Sequence, residues 1–169
     1  TNAIGIDLGG SRIKAAAIDD QGNTLHQHYH PTNDSDDTIW KNAISAVVQL
    51  MHDKLQNDHT VVGISAPGLP NANNSAIAYM PGRLKGLENF IWSDFLKTGA
   101  VVLNDAISAL MAEARYGAAK DKKNVVMLTL GTGVGGAILI DGRPYQGAFN
   151  KAGHIGHMVI DSEGEIDII

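Results

Sequence analysis

The stretch VVMLTLGTGVGGAILIDGRPY, residues 125–145, constrains the fold more than any other part of the chain. Its apolar runs at 125–130 and 137–140 predict two strands. Glycine fills four of the six positions that separate the runs, namely Gly131, Gly133, Gly135 and Gly136. Glycine contributes no side-chain packing to a strand and loses more conformational entropy on folding than any other residue. Such a concentration indicates that something must approach the bare backbone closely.

A second glycine turn near the start of the chain repeats this design. Residues 3–8 alternate as a strand with Ile4, Ile6 and Leu8 on one face, and RIKAAAID at 12–19 predicts the returning strand. Gly9-Gly10 joins the two. Exposed amides at such turns form concavities that bind anions, and glycine lets phosphate oxygens come near. Two hairpins of this kind, one in each half of the chain, predict a site for a polyphosphate between them.

The remaining pattern predicts an α/β fold. The predicted elements, in chain order, are a strand at 24–29, an amphipathic helix at 35–56 capped by Asn33, Asp34 or Ser35, a buried strand in TVVGISAPG, a short helix in LENFIWSDFLK, a strand in AVVLN and a helix in DAISALMAEARYG. This order predicts a lobe with a mixed sheet at 1–118, followed by the start of a second, similar lobe at 119–169.

Composition excludes several classes of protein. The chain has 169 residues, a net charge of −5 and no cysteine, so nucleic acid is not an expected partner, and disulfides and thiolate metal sites are excluded. No apolar run is long enough to span a bilayer, and TNAIGIDLGG lacks the pattern of a signal peptide. We therefore expect no membrane partner and a cytoplasmic location. The last residues, GEIDII, form an apolar segment, which favours a fragment of a longer protein.

The segment at 131–136 also matches the G-x-G-x-x-G fingerprint of dinucleotide-binding dehydrogenases. That motif requires a helix to begin at the loop, so that the helix N-terminus faces the pyrophosphate. The β-rich run AILIDGRPY follows instead. A Rossmann-type dehydrogenase is therefore a distant alternative, decided by whether residues 137–145 form a strand or a helix.

Three segments in this order and spacing resemble the ROK family of sugar kinases, repressors and related reading frames: IGIDLGGSRIKAAAID, LNDAISALMAEARYG and LTLGTGVGGAILIDGRPYQGAFNKAGHIGH. The resemblance covers nearly the whole chain. It implies the ribonuclease-H-like fold of the actin and hexokinase superfamily. The adenosine-binding glycine segment of that family has no counterpart in this sequence, which also favours a fragment.

The resemblance implies phosphorylation of a hydroxyl of a hexose or N-acetylhexosamine by ATP and Mg²⁺. Asp7 would reach the magnesium ion, through water, because Mg²⁺ keeps much of its hydration shell. Lys14 either adds positive charge near the phosphates or is a solvated strand lysine. The residues implied to contact the phosphates of ATP are Gly9, Gly10 and Ser11 on one side and Gly131, Thr132 and Gly133 on the other.

Asp105 is the expected general base, and Asn104 beside it is expected to bind the sugar. Both follow the strand AVVL, where the carboxyl end of a sheet opens toward ligand. A structural alternative is that one of them simply caps the helix that follows, a role worth about 1 kcal/mol. The resemblance favours the catalytic interpretation, because a matching Asn-Asp pair serves these roles in the family.

The expected sugar site also includes Gly68, His154 and His157. His154 stands where the family usually has glutamate, and a neutral imidazole offers one donor and one acceptor where a carboxylate accepts twice. Either the substrate's hydroxyl pattern differs from that of glucose, or His154 points away. Structural zinc is not expected, because the family's zinc site uses cysteines.

Several alternatives remain open. The protein could be a sugar-binding ROK protein without catalysis, or a kinase that uses polyphosphate instead of ATP. Arg83 replaces a family asparagine and either binds an anionic group or is solvated. We expect a homodimer for the full-length protein, and little kinase activity for the 169-residue chain alone, because part of the second lobe would be needed to close the cleft.

Overall fold

A computed structural model describes residues 1–57, 59–131, 133–161 and 163–164. The chain forms two compact units, Thr1–Asp105 and Ala106–Ile169. In chain order the first unit contains β1 (Ala3–Leu8), β2 (Arg12–Ile18), β3 (Thr24–Pro31), α1 (Asp37–Leu55), β4 (Val62–Ala66), β5 (Leu69–Pro70), β6 (Ile77–Tyr79), α2 (Trp92–Leu96) and β7 (Ala100–Asn104).

The first unit is built on a five-stranded mixed sheet in the order β3-β2-β1-β4-β7. The meander β1-β2-β3 is antiparallel, whereas β4 and β7 run parallel to β1. This confirms the predicted α/β lobe with a mixed sheet. Because β1, β4 and β7 are parallel, their carboxyl ends meet at one edge, where Asp7 pairs with Ser65 and Ala66 pairs with Asn104.

The core of the first unit lies between this sheet and α1. The alternation predicted for β1 is confirmed, since Ile4, Ile6 and Leu8 are all buried. Trp40 of α1 and Trp92 of α2 are both fully buried, with ring centroids 5.9 Å apart. Burying an aromatic side chain of this size contributes about 2–3 kcal/mol, so the two tryptophans anchor both helices to the sheet.

The N-cap of helix α1 lies one residue after the last of the three predicted caps. Asp36 is the N-cap, with extended backbone, and its carboxylate accepts a hydrogen bond from the backbone N–H of Thr38 at 2.8 Å. The predicted caps Asn33, Asp34 and Ser35 are wrong because Asn33 is left-handed (φ 46°) and the chain is still turning there.

The second unit contains α3 (Asp105–Tyr116), which begins at the last residue of the first unit, and a three-stranded sheet of β8 (Val125–Leu130), β9 (Val134–Ile140) and β10 (Arg143–Pro144). A short 3₁₀ helix follows at Ile155–His157. Strand β9 pairs antiparallel with β8, so no helix begins after the glycine loop. The dehydrogenase alternative is therefore wrong. The lobe boundary between residues 118 and 119 stays a prediction.

Within the described ranges, none of the helices combines the length and hydropathy needed to cross a bilayer.

Candidate active site

One cavity of the first unit is lined by four of the residues expected to take part in phosphate and proton chemistry, whereas Ser11 and Lys14 are not among its lining residues. It lies at the carboxyl edge of the parallel strands and has a volume of about 130 Å³. Asp7 at the end of β1 and Asp105 at the start of α3 both line it, together with Gly9 and Gly10 of the first glycine turn. Residues almost 100 positions apart in sequence therefore share one small space.

Asp7 is held by two polar neighbours. Lys14, its partner across the β1-β2 ladder, donates to one carboxylate oxygen at 3.1 Å, and the Ser65 hydroxyl lies 3.3 Å from the other. The side chains of Asp7 and Lys14 are 43% and 55% exposed, so the ion pair is screened by water and contributes little to stability. Lys14 is therefore an exposed lysine in contact with Asp7, a cavity residue, and a role near the phosphates stays a prediction.

The glycine turn is braced by a residue that the sequence interpretation missed. Thr32 is fully buried; its hydroxyl donates to the Gly9 carbonyl at 2.6 Å, and its backbone N–H donates to the Ser11 carbonyl at 3.1 Å. The turn itself closes with a bond from the Gly9 N–H to the Arg12 carbonyl at 3.1 Å. A buried hydroxyl needs a hydrogen-bond partner. In the sequence, the position of Thr32 directly after a strand was the signal that could have suggested such a contact.

Asn104 connects the end of β7 to the loop after β4. Its side chain is buried, and its Nδ2 donates to the Gly68 carbonyl at 3.0 Å. Gly68 has a φ of +99°, and a Cβ there would lie 2.6 Å from the Tyr79 carbonyl oxygen, so only glycine fits. The pair thus fixes the loop that contains Pro67, another residue lining the cavity.

Asp105 is the first residue of α3 and its side chain is exposed. This position combines the two interpretations that the sequence left open, because Asp105 both begins the helix and lines the cavity. A carboxylate at a helix N-terminus is stabilised by the helix dipole.

The glycines of the β8-β9 hairpin divide into two pairs. A Cβ on Gly136 would lie 2.6 Å from the Gly153 carbonyl oxygen, and one on Gly135 would meet the Thr129 hydroxyl, so packing within the unit explains both. In contrast, a Cβ on Gly131 or Gly133 would meet no atom of the described residues within 4 Å. Internal packing does not require glycine at those two turn positions. Thr132 lies outside the described residues.

His154 and His157 lie together beside the short 3₁₀ helix. Their rings are stacked at 20° with centroids 6.2 Å apart, and the His157 N–H donates to the His154 carbonyl at 3.4 Å. Across the described part of the chain, histidine and acidic side chains nowhere gather in a group of three that would suit a metal ion.

Comparison with known proteins identifies the family. The ROK family model matches residues 3–167. Glucokinase from Streptomyces coelicolor is 33% identical over 95% of this chain and 50% of its own length, and N-acetylmannosamine kinase from Citrobacter koseri is 30% identical over 98% of this chain and 57% of its own. The chain thus spans about half the length of the curated relatives it matches.

A solved structure supports the same grouping. The ROK family glucokinase from Streptomyces griseus, solved in complex with glucose and AMPPNP, superimposes with a TM-score of 0.81 at 29% identity. The match covers 97% of this chain and 52% of that one. The fold that the resemblance implied is therefore confirmed.

Proposed function

The chain belongs to the ROK family, and from that premise we propose that the whole protein is a sugar kinase. It transfers the terminal phosphoryl group of ATP to a hydroxyl of a hexose or an N-acetylhexosamine. The observation that carries the proposal is the cavity shared by Asp7, Asp105 and the Gly9-Gly10 turn. Two carboxylates beside a bare backbone turn are what phosphoryl transfer to an alcohol requires, because one serves a metal ion and the other a proton.

Asp105 is the proposed general base. The bond between the γ-phosphorus and its bridging oxygen breaks, and a bond forms from phosphorus to the sugar hydroxyl oxygen. The hydroxyl proton passes to the Asp105 carboxylate, and the electron pair of the broken bond stays on ADP. The transition state is loose, so the proton leaves late and a weakly basic carboxylate suffices.

The glycine turns are the proposed phosphate contacts. In the first unit these are Gly9, Gly10 and Ser11, with Lys14 adding positive charge beside Asp7. In the second unit the proposed contacts are Gly131, Thr132 and Gly133. The space around Gly131 and Gly133 supports this assignment, because their lack of a side chain is not explained by neighbours in the described structure.

The carboxylate oxygens that line the 130 Å³ cavity are suitable ligands for magnesium. Mg²⁺ prefers oxygen ligands, is held in kinases by one or two carboxylates and keeps several waters. Asp7 presents a half-exposed carboxylate to the cavity and would hold the ion through water. When bound, the ion neutralises charge on the phosphates.

Sugar recognition is proposed for Asn104, Gly68, His154 and His157. The hydrogen bond from Asn104 to the Gly68 carbonyl supports a joint role for the first two, because their neighbours Asp105 and Pro67 line the cavity. His154 and His157 form a stacked pair that offers ring nitrogens to hydroxyl groups. A homodimer and a cytoplasmic location stay predictions.

The decisive experiment replaces Asp105 in the whole protein. We predict that Asp105→Ala lowers kcat by at least about 100-fold, since the proton loses its acceptor, while the Kd for ATP changes little. A coupled ADP-release assay and isothermal titration measure the two quantities. Asp94→Ala is the matched control, because Asp94 is also an exposed aspartate in the first turn of a helix. Turnover retained by Asp105→Ala would refute the assignment.

The same assay, run with glucose, mannose and the two N-acetylhexosamines, defines substrate and donor. Parallel reactions with ATP and with polyphosphate identify the phosphate donor. Sugar-dependent thermal stabilisation without any phosphoryl transfer would instead favour a non-catalytic sugar-binding protein. Repeating the screen with His154→Glu tests the role of that side chain. A changed ranking of the sugars by turnover would support contact between His154 and the sugar, and an unchanged ranking would contradict it.

A further inference from the structure

Arg83, for which the sequence left open an anion-binding role or a solvated side chain, lines the candidate active site. It lines the 130 Å³ cavity together with Asp7 and Asp105, and it also lines a larger neighbouring groove of about 660 Å³. Its side chain is 57% exposed. A cation beside two carboxylates and a glycine turn is placed to meet negative charge that enters the same cavity.

Two contacts hold the guanidinium in that place. One Nη2 N–H donates to the Gly10 carbonyl at 3.2 Å, and the same nitrogen lies 3.6 Å from a carboxylate oxygen of Asp34. The guanidinium also packs against the α-carbon of Gly10 so closely that a Cβ there would overlap its nitrogens. Arg83 therefore lies directly over Gly10, and a side chain at position 10 would displace its guanidinium.

The backbone that carries Arg83 is anchored as well. The neighbouring Leu84 is buried in the core, as is Leu87, and the Leu87 N–H donates to the Leu84 carbonyl at 3.0 Å. Arg83 is thus an exposed residue directly beside a turn that is fixed by buried leucines. A guanidinium has five N–H donors, so the Gly10 carbonyl and the Asp34 carboxylate leave donors for a ligand.

We propose that Arg83 is a further catalytic residue of this chain, which binds the transferred phosphoryl group. The inference rests on the proposed kinase function, in which phosphorus moves from the ATP bridging oxygen to the sugar oxygen and the proton goes to Asp105. Negative charge on the equatorial phosphoryl oxygens must be neutralised during that step, and a preorganised guanidinium does so without reorganisation. Asp34 positions the guanidinium and does not contact the phosphoryl group.

The experiment compares Arg83→Gln, Arg83→Lys and Lys85→Met in the whole protein. Lys85 is the matched control, because it lines the larger groove but not the small cavity. We expect Arg83→Gln to lower kcat by about 100-fold or more while the KM for ATP changes less than about fivefold. Arg83→Lys should keep part of the rate because it keeps the charge, and Lys85→Met should resemble wild type.

A second readout separates catalysis from structure. The affinity for ADP with aluminium fluoride and sugar, which imitates the transition state, should fall in Arg83→Gln by about the same factor as kcat, whereas AMPPNP affinity should not. If Arg83→Gln folds poorly, Arg83→Ala is assayed with added guanidinium, which should restore turnover.

The outcomes distinguish this inference from the kinase proposal. Near wild-type kcat in Arg83→Gln would overturn the role of Arg83, as would an equal loss of affinity for AMPPNP and for the aluminium fluoride complex. Failure of guanidinium to restore Arg83→Ala would also count against it. None of these results touches the kinase proposal, which fails instead if the wild type transfers no phosphate to any sugar or if Asp105→Ala retains turnover.

Discussion

Thr32 shows how a single buried hydroxyl shapes the phosphate turn. Its contact with the Gly9 carbonyl joins residues 23 positions apart, and the same residue's N–H holds Ser11. Both turn residues are proposed phosphate contacts. Their amides can serve a polyphosphate only while the turn keeps its shape, so Thr32 acts through the turn and is a positioning residue.

We predict that Thr32→Val weakens both stability and nucleotide binding. Valine nearly matches the shape of threonine but removes the hydroxyl donor, which leaves a carbonyl underpaired at a cost of about 1–3 kcal/mol in the free energy of unfolding. A looser turn should raise the KM for ATP by about tenfold with a smaller effect on kcat. Thr32→Ser keeps the hydroxyl and is the control. Urea denaturation and steady-state kinetics measure the effects. An unchanged KM for ATP would show that nucleotide binding does not depend on the hydrogen bond from Thr32 to Gly9.

For single residues, the sequence predicted the charged residues and glycines of the site better than the residues that hold them in place. The family resemblance pointed to Asp7, which lies near the end of the strand predicted at 3–8, and to Asp105, which directly follows the predicted strand AVVLN. Thr32 could not be found, and the two alternatives for Arg83 could not be separated, because the contacts of these residues with Gly9 and Gly10 exist only in the folded chain. A lone hydroxyl or arginine in a loop has no pattern that marks it.

At the scale of elements, periodicity predicted the longer strands and helices, whereas the short strands β5 and β6 were missed and several ends were misplaced. Strand β1 and helix α1 both show the predicted buried faces. The start of α1 was ambiguous because four successive residues, 33–36, are all good N-caps. Backbone geometry decides among them, since only Asp36 has an extended backbone directly before the first helical turn.

Asp36 makes the stability of α1 depend on pH. Hydrogen bonds from the side chain and the backbone of Thr38 hold the pKa of the Asp36 carboxyl below its ordinary value of 3.8. The charged form is thus favoured by folding, so its contribution is complete above pH 3.8 and is lost as the pH falls through the lower folded-state pKa. We predict that Asp36→Asn, which keeps the cap without the charge, flattens the pH dependence of the melting temperature below pH 4.

Asp36→Ala serves as the comparison, because alanine cannot accept the Thr38 hydrogen bond at any pH. It should lower the melting temperature by a few degrees at neutral pH, where Asp36→Asn should stay close to wild type. Thermal melts followed by circular dichroism between pH 2.5 and about 7 span the range over which aspartate changes charge. Identical acid profiles for wild type and Asp36→Asn would contradict the role of the cap.

At the scale of the whole molecule, the order of elements predicted the mixed sheet, because a meander followed by alternating strands and helices has few other solutions. The β8-β9 hairpin was predicted from the two apolar runs on either side of the glycine-rich stretch, and the structure confirms it. The sequence could not predict which glycines of this hairpin are required by packing inside the unit and which are not. Gly136 is required by the Gly153 carbonyl, 17 positions away, and such a contact leaves no local signature.

The final prediction concerns the 169-residue chain itself, which spans about half the length of the curated relatives it matches. We expect this chain, expressed alone, to transfer phosphate to glucose at less than about 1% of the rate of a protein of full family length, because a kinase must exclude water from the reacting phosphoryl group by closing its lobes. A coupled assay on both proteins, at equal concentration and with folding checked by circular dichroism, measures the ratio. Because the first unit holds Asp7, Asp105 and the first glycine turn, the chain should retain a fold-dependent response to Mg²⁺ and nucleotide in thermal melts. Gly10→Val should abolish that response, because its side chain would occupy the turn that is proposed to contact the phosphates. Substantial sugar-dependent turnover by the chain alone would mean that these residues and the second unit already form a closed catalytic site.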